Sequence, residues 1–421
     1  MNTANPVRTH ARVLTASLVG TAVEFYDFYI FGTAAALVIG PLFFPSESKA
    51  AQSLLALMTF GIAFFARPVG AVAFGHFGDR IGRKSTLVVS LLLMGVSTFL
   101  VAFLPSYAVA GWIAPALLCL LRFGQGFGLG GEWGGASLLA VENAPKGWEA
   151  RFGIAAPLGA PLGFLFANGL FLVLGLTLSE ADFLSWGWRV PFLASALLVI
   201  LGLWIRLRIG ETPAFREAME AAPPPRVPLG RLLADHPGAV IAGTVGVIAC
   251  FALFYLATTF ALSFATKTLG FPRETVLAIQ LGADVVFAVG ILVSGWWADK
   301  TSPRTVMAVG AGLTVLVGLG FGSGLGSGSL PLLFLTLSSA LFVMGLCYGP
   351  IGAWLPTLYA VPVRYTGISL AFNMGGIVGG ALAPLGAEWL SIHGGVAWTG
   401  LVLSAAGVVT LAGVLLAPRG E

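Results

Sequence analysis

Apolar runs of twenty residues and more recur along this chain, separated by short polar stretches rich in glycine, proline and charge. Taking each run as one element gives twelve, at 13–40, 51–74, 85–104, 108–133, 151–176, 188–208, 238–265, 274–298, 304–323, 330–355, 365–392 and 396–417. A helix rises about 1.5 Å per residue, so about 20 residues cross the roughly 30 Å hydrocarbon core of a bilayer. The runs are near-continuous, unlike the alternating ten-residue segments of an outer-membrane barrel. The pattern predicts an all-α membrane protein of twelve transmembrane helices in two six-helix bundles, at 1–208 and 238–421. Between them, 209–237 reads as a solvated linker. Its part at 210–220 is expected to form a short surface helix, ended by Pro223, Pro224 and Pro225.

Composition sharpens the class. Of 421 residues, 57% are hydrophobic and 10% charged, with a mean hydropathy of +0.93. Soluble domains carry about 25% charged residues. The 57 glycines suit helices that approach closely in lipid. Cys119, Cys250 and Cys347 all fall in apolar runs and read as small core residues with no disulfide framework. The first run is too long for a signal-peptide core and reads as a retained helix.

The net charge of +4 would suit a nucleic-acid binder, but its distribution argues otherwise. With the N-terminus inside, 16 of the 22 lysines and arginines fall on the cytoplasmic side and Lys49, Arg189, Lys267 and Arg273 on the other. Arg67 and Arg122 lie within spans. A positive-inside bias of this size predicts a multi-pass protein of the cell's inner (plasma) membrane with both termini cytoplasmic. The basic charge is topological, and the expected partners are the lipid bilayer, a small-molecule substrate and protons, with no nucleic acid and a monomeric chain.

The two halves repeat one turn. Gly75-His-Phe-Gly-Asp79-Arg80-Ile-Gly82-Arg83-Lys84 follows the second run and Gly295-Trp-Trp-Ala-Asp299-Lys300-Thr-Ser-Pro-Arg304 the eighth. Gly, Asp and the cations recur in register. A topogenic basic loop would explain the cations alone. Internal duplication is how many transporters are built, with the substrate site near the midplane between the repeats.

Charges inside the runs are the candidate chemistry. Glu24 and Asp27 lie three apart in the first run, hence on one helix face with Phe28 and Phe31. A lipid-facing carboxylate costs at least about 2.5–3.5 kcal/mol at the helix centre, so the pair faces protein or a water-filled cavity. Counting from the run ends puts Glu24 roughly 17 Å and Asp27 roughly 21 Å from the inside, and Arg122 roughly 21 Å from the outside. Opposite charges at one depth suggest mutual compensation. In the eighth run Gln280 and Asp284 are one turn apart. Asp284 is either a second proton or cation site, or faces an outer vestibule with Lys267 or Arg273 as partner. The stripe Phe251, Phe254, Tyr255 and Thr258 is packing, or a substrate cage to which Tyr255 offers a hydroxyl. Tyr348-Gly349-Pro350 predicts a helix break at cavity depth.

These motifs resemble a known family. Gly75-x-x-x-Asp79-Arg80-x-Gly82-Arg83-Lys84 is similar to the cytoplasmic signature of the major facilitator superfamily. Glu24-Phe-Tyr-Asp27-Phe, Arg67-Pro68-x-Gly70, Arg122-Phe-Gly-Gln125-Gly126 with Gly130-Gly131-Glu132, Trp186-Gly-Trp-Arg189-x-Pro191-Phe192 and Arg364-Tyr-Thr-Gly367-x-Ser369 together resemble its metabolite:proton symporter branch, whose members carry α-ketoglutarate, shikimate, citrate and proline/betaine. Where relatives often have Glu and then Pro before Arg364, this chain has Thr357 and Ala360, which predicts a weaker charge cluster there. An end at Glu421 leads one to expect no coiled-coil extension of the osmosensing proline/betaine kind.

The resemblance implies a secondary-active transporter that imports a small polar organic acid or zwitterion by proton symport, with alternating access. It places runs one and four against one cavity. Asp27, with Glu24 as the alternative, then becomes the proton site. Burial favours the neutral form of a carboxyl group and a neighbouring arginine the charged one. A substrate that competes for Arg122 would thereby favour protonation. Arg122, Gln125, Arg67, Tyr255 and Tyr348 are the substrate candidates, with Arg67 either binding an anion or pairing with Glu132. Asp79, Arg80, Arg83, Lys84, Glu132, Asp299 and Lys300 are the candidate gate. An exporter working by antiport and a non-transporting solute sensor are the alternatives; Gly159-Ala-Pro161-Leu-Gly163 weakly resembles the antiporter signature. His76 sits in the turn, and His10, His236 and His393 lie in tails or loops without clustered ligands. No enzyme motif, metal site or cofactor is expected.

Overall fold

The computed structural model describes residues 10–46, 48–81, 83–130, 138, 140–208, 228–360 and 363–418. Ten of the described helical segments are long and apolar enough to cross a membrane, and the shorter apolar helices Val88–Val101 and Ile113–Leu129 stand where spans three and four were expected. Helices account for the regular structure of the described residues. The all-α prediction therefore stands.

In the first half span one runs Ala11–Ala34 and on to Phe43, span two is Lys49–Ile81, span three Arg83–Val101, span four Ile113–Leu129, span five Gly159–Thr177 and span six Val190–Arg208. In the second, span seven runs from Pro237 to Lys267 in four pieces, span eight is Arg273–Lys300, span nine Pro303–Leu325, span ten Leu330–Tyr348, span eleven Arg364 to Gly394 in three pieces, and span twelve Thr399–Leu416. Span one packs on five and six, two on four, and three on four; in the second half eight packs on ten, and nine on ten and twelve. Span five also packs on eight, and span two on eleven, which joins the halves.

Two differences from the sequence reading have local causes. Residues 151–176 are not one helix: a short helix Glu149–Gly153 and span five are separated by turns at 154–158, where Pro157 has no N–H to give. Residues 228–235 of the expected linker are helical, Pro228–Asp235, because Leu229, Leu232 and Leu233 share a face and Leu232 buries fully. The surface helix expected at 210–220 lies outside the described residues. The break at Gly349-Pro350 is present, and a short helix Ile351–Trp354 follows it.

Spans one, seven and eleven each contain a π-helical turn, at Ala35–Ile39, Leu256–Phe260 and Ile377–Leu382. Such a turn lengthens the hydrogen-bonded ring and frees carbonyl groups. In span seven the freed groups have a donor: Gln280 Nε2 bonds the carbonyls of Ala257 at 3.1 Å and Thr258 at 2.8 Å.

Glycine sets the distance between spans two and four. A Cβ at Gly70 would collide with the main chain of Phe127, one at Gly126 with Ala63, and one at Gly130 with Arg67. All three belong to the motifs read from the sequence. They let two backbones touch, which carries Arg67 and Arg122 into the same space.

Candidate functional site

Arg122 is fully buried on span four. Its guanidinium donates to Gln125 Oε1 and, at 3.2 Å, to the carbonyl of Phe60. It lies over the rings of Phe28 at 4.4 Å, Phe31 at 4.1 Å and Phe60 at 5.0 Å. Gln125 Nε2 in turn donates to the main-chain oxygen of Asp27 at 2.7 Å and to Thr98 Oγ1 at 2.8 Å. Gln125 bridges the arginine to the backbone of span one at Asp27, and aromatic faces take much of the cation's field.

Arg67 is buried on span two, held over Phe28 at 4.3 Å and Phe64 at 4.8 Å. Glu24, Tyr29, Tyr255 and Tyr348 act on it electrostatically. Three of these four reach the space between the halves, so Arg67 belongs with that space. Its suggested partner Glu132 lies outside the described residues. Asp27 and Glu24 are both buried, at 0% and 5% exposure. Asp27 is also an electrostatic neighbour of Tyr26, whose hydroxyl donates to the carbonyl of Pro191 at 2.9 Å.

Above this layer is a narrow cavity of about 10 Å³, room for about one water. Span one contributes Phe25 and Tyr29, span seven Phe254 and Tyr255, and span ten Met344 and Tyr348. Tyr29 stacks on Phe254 at 4.8 Å, and Tyr255 meets Phe60 at 5.2 Å and Phe64 at 5.3 Å. The aromatic stripe of span seven therefore faces the opposite half, and Tyr255 and Tyr348 are among the rings that line the cavity. Asp284 is buried on span eight with Gln280 one turn before it, while Lys267 donates to Ser53 and Arg273 pairs with Glu180 and Glu274.

Both ends of the cavity are closed by contacts between the halves. At the basic end Asp299 is 3% exposed and caps the helix Glu149–Gly153. Its Oδ1 accepts from the Ala150 N–H at 2.8 Å, and its Oδ2 from the Arg151 N–H at 3.2 Å and Nε at 2.5 Å. Asn373 on span eleven donates to the carbonyl of Gly130 at 3.0 Å. At the other end Arg273 bonds Glu180 at 2.6 Å and lies 3.7 Å over Phe183, and Lys267 Nζ donates to Ser53 at 3.2 Å. Of the expected gate, Lys300 lies over the ring of Trp296 at 3.8 Å. The side chains of Asp79, Arg80, Arg83 and Lys84 are outside the described ones.

Arg151, Glu180 and Asn373 were not singled out in the sequence. Arg151 follows Glu149 at a helix start, a signal too common to read alone. The tryptophan motif is structural here: Arg189 donates to the carbonyls of Ala102 and Leu104, the latter at 3.0 Å, which ends span three.

Comparison with known proteins adds the following. A family model described as Sugar (and other) transporter matches residues 13–220. The inner membrane metabolite transport protein YhjE of Escherichia coli is 47% identical over 98% of this chain and 94% of its own length. The Escherichia coli shikimate transporter is 36% identical over 89% of this chain and 86% of its own. The glycine betaine/proline/ectoine/pipecolic acid transporter OusA of Dickeya dadantii is 30% identical over 90% and 77%. Among solved structures a D-xylose-proton symporter superposes with a TM-score of 0.73 at 17% identity, covering 97% of this chain and 98% of that one, a likeness of fold.

Proposed function

The chain belongs to the major facilitator superfamily of metabolite transporters, and from that premise we propose that it imports a small organic acid or zwitterion together with protons. It is a transporter and not an enzyme. The observation that carries the finer reading is the pair of buried guanidinium groups on Phe28, beside the acids of span one and under an aromatic cavity shared by both halves. Two cations in a dry site repel one another. They are held there by aromatic faces, by Gln125 and by Glu24, an arrangement an incoming carboxylate would complete.

Shikimate, betaine and proline, named for the relatives, share a carboxylate, and that is the group assigned to the arginines. As it binds, it competes with Glu24 and Asp27 for the positive field, and a carboxyl group that loses a cation's support takes up a proton more readily. Substrate and proton then enter together, and each favours the other's binding by the same factor. The ring faces of Tyr29, Phe254, Tyr255 and Tyr348 cover the rest of the molecule, with the tyrosine hydroxyls as hydrogen-bond partners. Release requires the halves to part at one end: Asp299 leaves the helix at 149–153 on the side that charge marks as cytoplasmic, or Arg273 leaves Glu180 on the other.

The test is uptake of labelled shikimate, glycine betaine and a panel of mono- and dicarboxylates into proteoliposomes under an imposed pH gradient. Accumulation driven by an acidic exterior and abolished by a protonophore is expected for at least one carboxylate. Accumulation only under the opposite gradient, or none for any solute, would sink the reading.

A further inference from the structure

The transport reading uses the acids of the first half, and the second half holds another buried carboxylate. Asp284 on span eight is 3% exposed, and its Oδ1 has no hydrogen-bond partner among the described residues. It lies three residues before Phe287, hence on the same helix face. The Phe287 ring sits 5.9 Å from that of Phe254 and 6.3 Å from that of Tyr348, both of which line the cavity. Asp284 is also a close neighbour of Tyr29, a third cavity residue. Its position is therefore one layer behind the rings that line the cavity, in the half that carries neither arginine.

The neighbouring groups leave its charge without support. Gln280, one turn away, spends both hydrogens of its Nε2 on Ala257 and Thr258. The titratable group nearest to it is a phenol, Tyr29 from span one, with Tyr348 from span ten and Tyr255 from span seven beyond it around the cavity. Span five, which packs along span eight, contributes no ionisable side chain. The cations of the adjoining elements sit at the ends. Arg273 is eleven residues away, about 16 Å along the helix, and is bound to Glu180 and Glu274. Lys267 is bound to Ser53. Arg151 and Arg304 belong to the basic end, near Asp299, about 22 Å from Asp284 along span eight, and Glu149 opens the short helix there. Among the described residues no ion pair reaches Asp284. A buried carboxylate without counter-charge or donors is unfavourable, whereas the neutral acid needs neither.

We propose that Asp284 is a second proton-binding site, neutral in this closed arrangement, which exchanges its proton when the cavity opens and water reaches it. Its use in coupling rests on the symport reading above; its protonation does not. That makes the two separable. Infrared difference spectra against pH, recorded on purified protein in liposomes without substrate, report the C=O stretch of a protonated carboxyl group directly. The expected result is a band that weakens as pH rises and shifts in heavy water. It should be missing from Asp284→Asn and retained in Asp27→Asn. Spectra of Asp284→Asn that match the wild type overturn the proposal. So does an Asp284-dependent band that responds neither to pH nor to heavy water. Should Asp284→Asn fail to yield monodisperse protein, Asp284→Glu keeps the acid and must move the band; an unmoved band overturns the proposal equally.

Discussion

Arg67 and Arg122 share one aromatic ring: their guanidinium carbons lie 4.3 and 4.4 Å from the centroid of Phe28. Each contact is worth about 2 kcal/mol when desolvated. Phe28→Leu removes both while keeping an apolar side chain. It is expected to lower the unfolding temperature and to reduce substrate uptake at least tenfold, whereas Phe28→Tyr retains most of both. Thermal unfolding in detergent alongside uptake assays decides between them.

Gln125 ties the same arginine to span one. Gln125→Ala leaves an N–H of the Arg122 guanidinium without its acceptor, at about 1–3 kcal/mol for a buried group left unmade, and takes a donor from the Asp27 carbonyl and the Thr98 hydroxyl. The expected signature is a clear drop in unfolding temperature together with weakened uptake. Thr98→Ala, which removes a single partner, should shift it less.

Asp27→Asn should separate coupling from binding. Uphill accumulation under a pH gradient is expected to disappear, while exchange of labelled for unlabelled substrate across the membrane continues. Wild-type accumulation in the variant would remove Asp27 from the proton role and pass it to Glu24.

Asp299 closes the basic end against the first half through three hydrogen bonds. Hydrogen bonds to a charged group contribute about 1.5–3 kcal/mol, so Asp299→Ala is expected to raise the open population roughly tenfold or more. Cys250, 2% exposed at the cavity, reports it. With Cys119 and Cys347 replaced by alanine, maleimide labelling of Cys250 should quicken from the basic side in Asp299→Ala and from the opposite side in Arg273→Ala.

The glycine contacts make a sharper contrast. Gly126→Ala drives a methyl group into the Ala63 main chain, where overpacking costs about 1–3 kcal/mol. Gly169→Ala meets nothing within 4 Å. Yield of monodisperse protein should fall sharply for the first and hold for the second.

The sequence made the architecture plain because lipid allows few alternatives. Runs of apolar residues long enough to cross, a bias in Lys and Arg and a duplicated Gly–Asp turn each constrain the fold, and the helices follow them. The buried charges Glu24, Asp27, Arg67, Arg122 and Asp284 were visible for the same reason, since each is expensive in hydrocarbon. Their partners were not visible. That Arg122 rests on Phe31 and Phe60, or that Asp299 caps residues 150–151 of the other half, depends on the rotation and depth of helices far apart in the chain. Periodicity does not encode that. Nor does it mark the π-turns, which look like any apolar stretch, or the helix Pro228–Asp235, whose buried leucine needs spans seven and eleven to cover it.

The π-turn of span seven is an α-helix with one residue too many. Everything beyond Phe260 is therefore turned by about 100° relative to an unbroken helix, and it is in this turned part that Lys267 meets Ser53. Removing any one residue from 256–260 would let the helix close up, relieve Gln280 of its two acceptors and swing Lys267 away from the other half. For anyone aligning this chain to a relative, a gap at that point is a structural event, and a position downstream of it is comparable only if the relative carries the same extra residue.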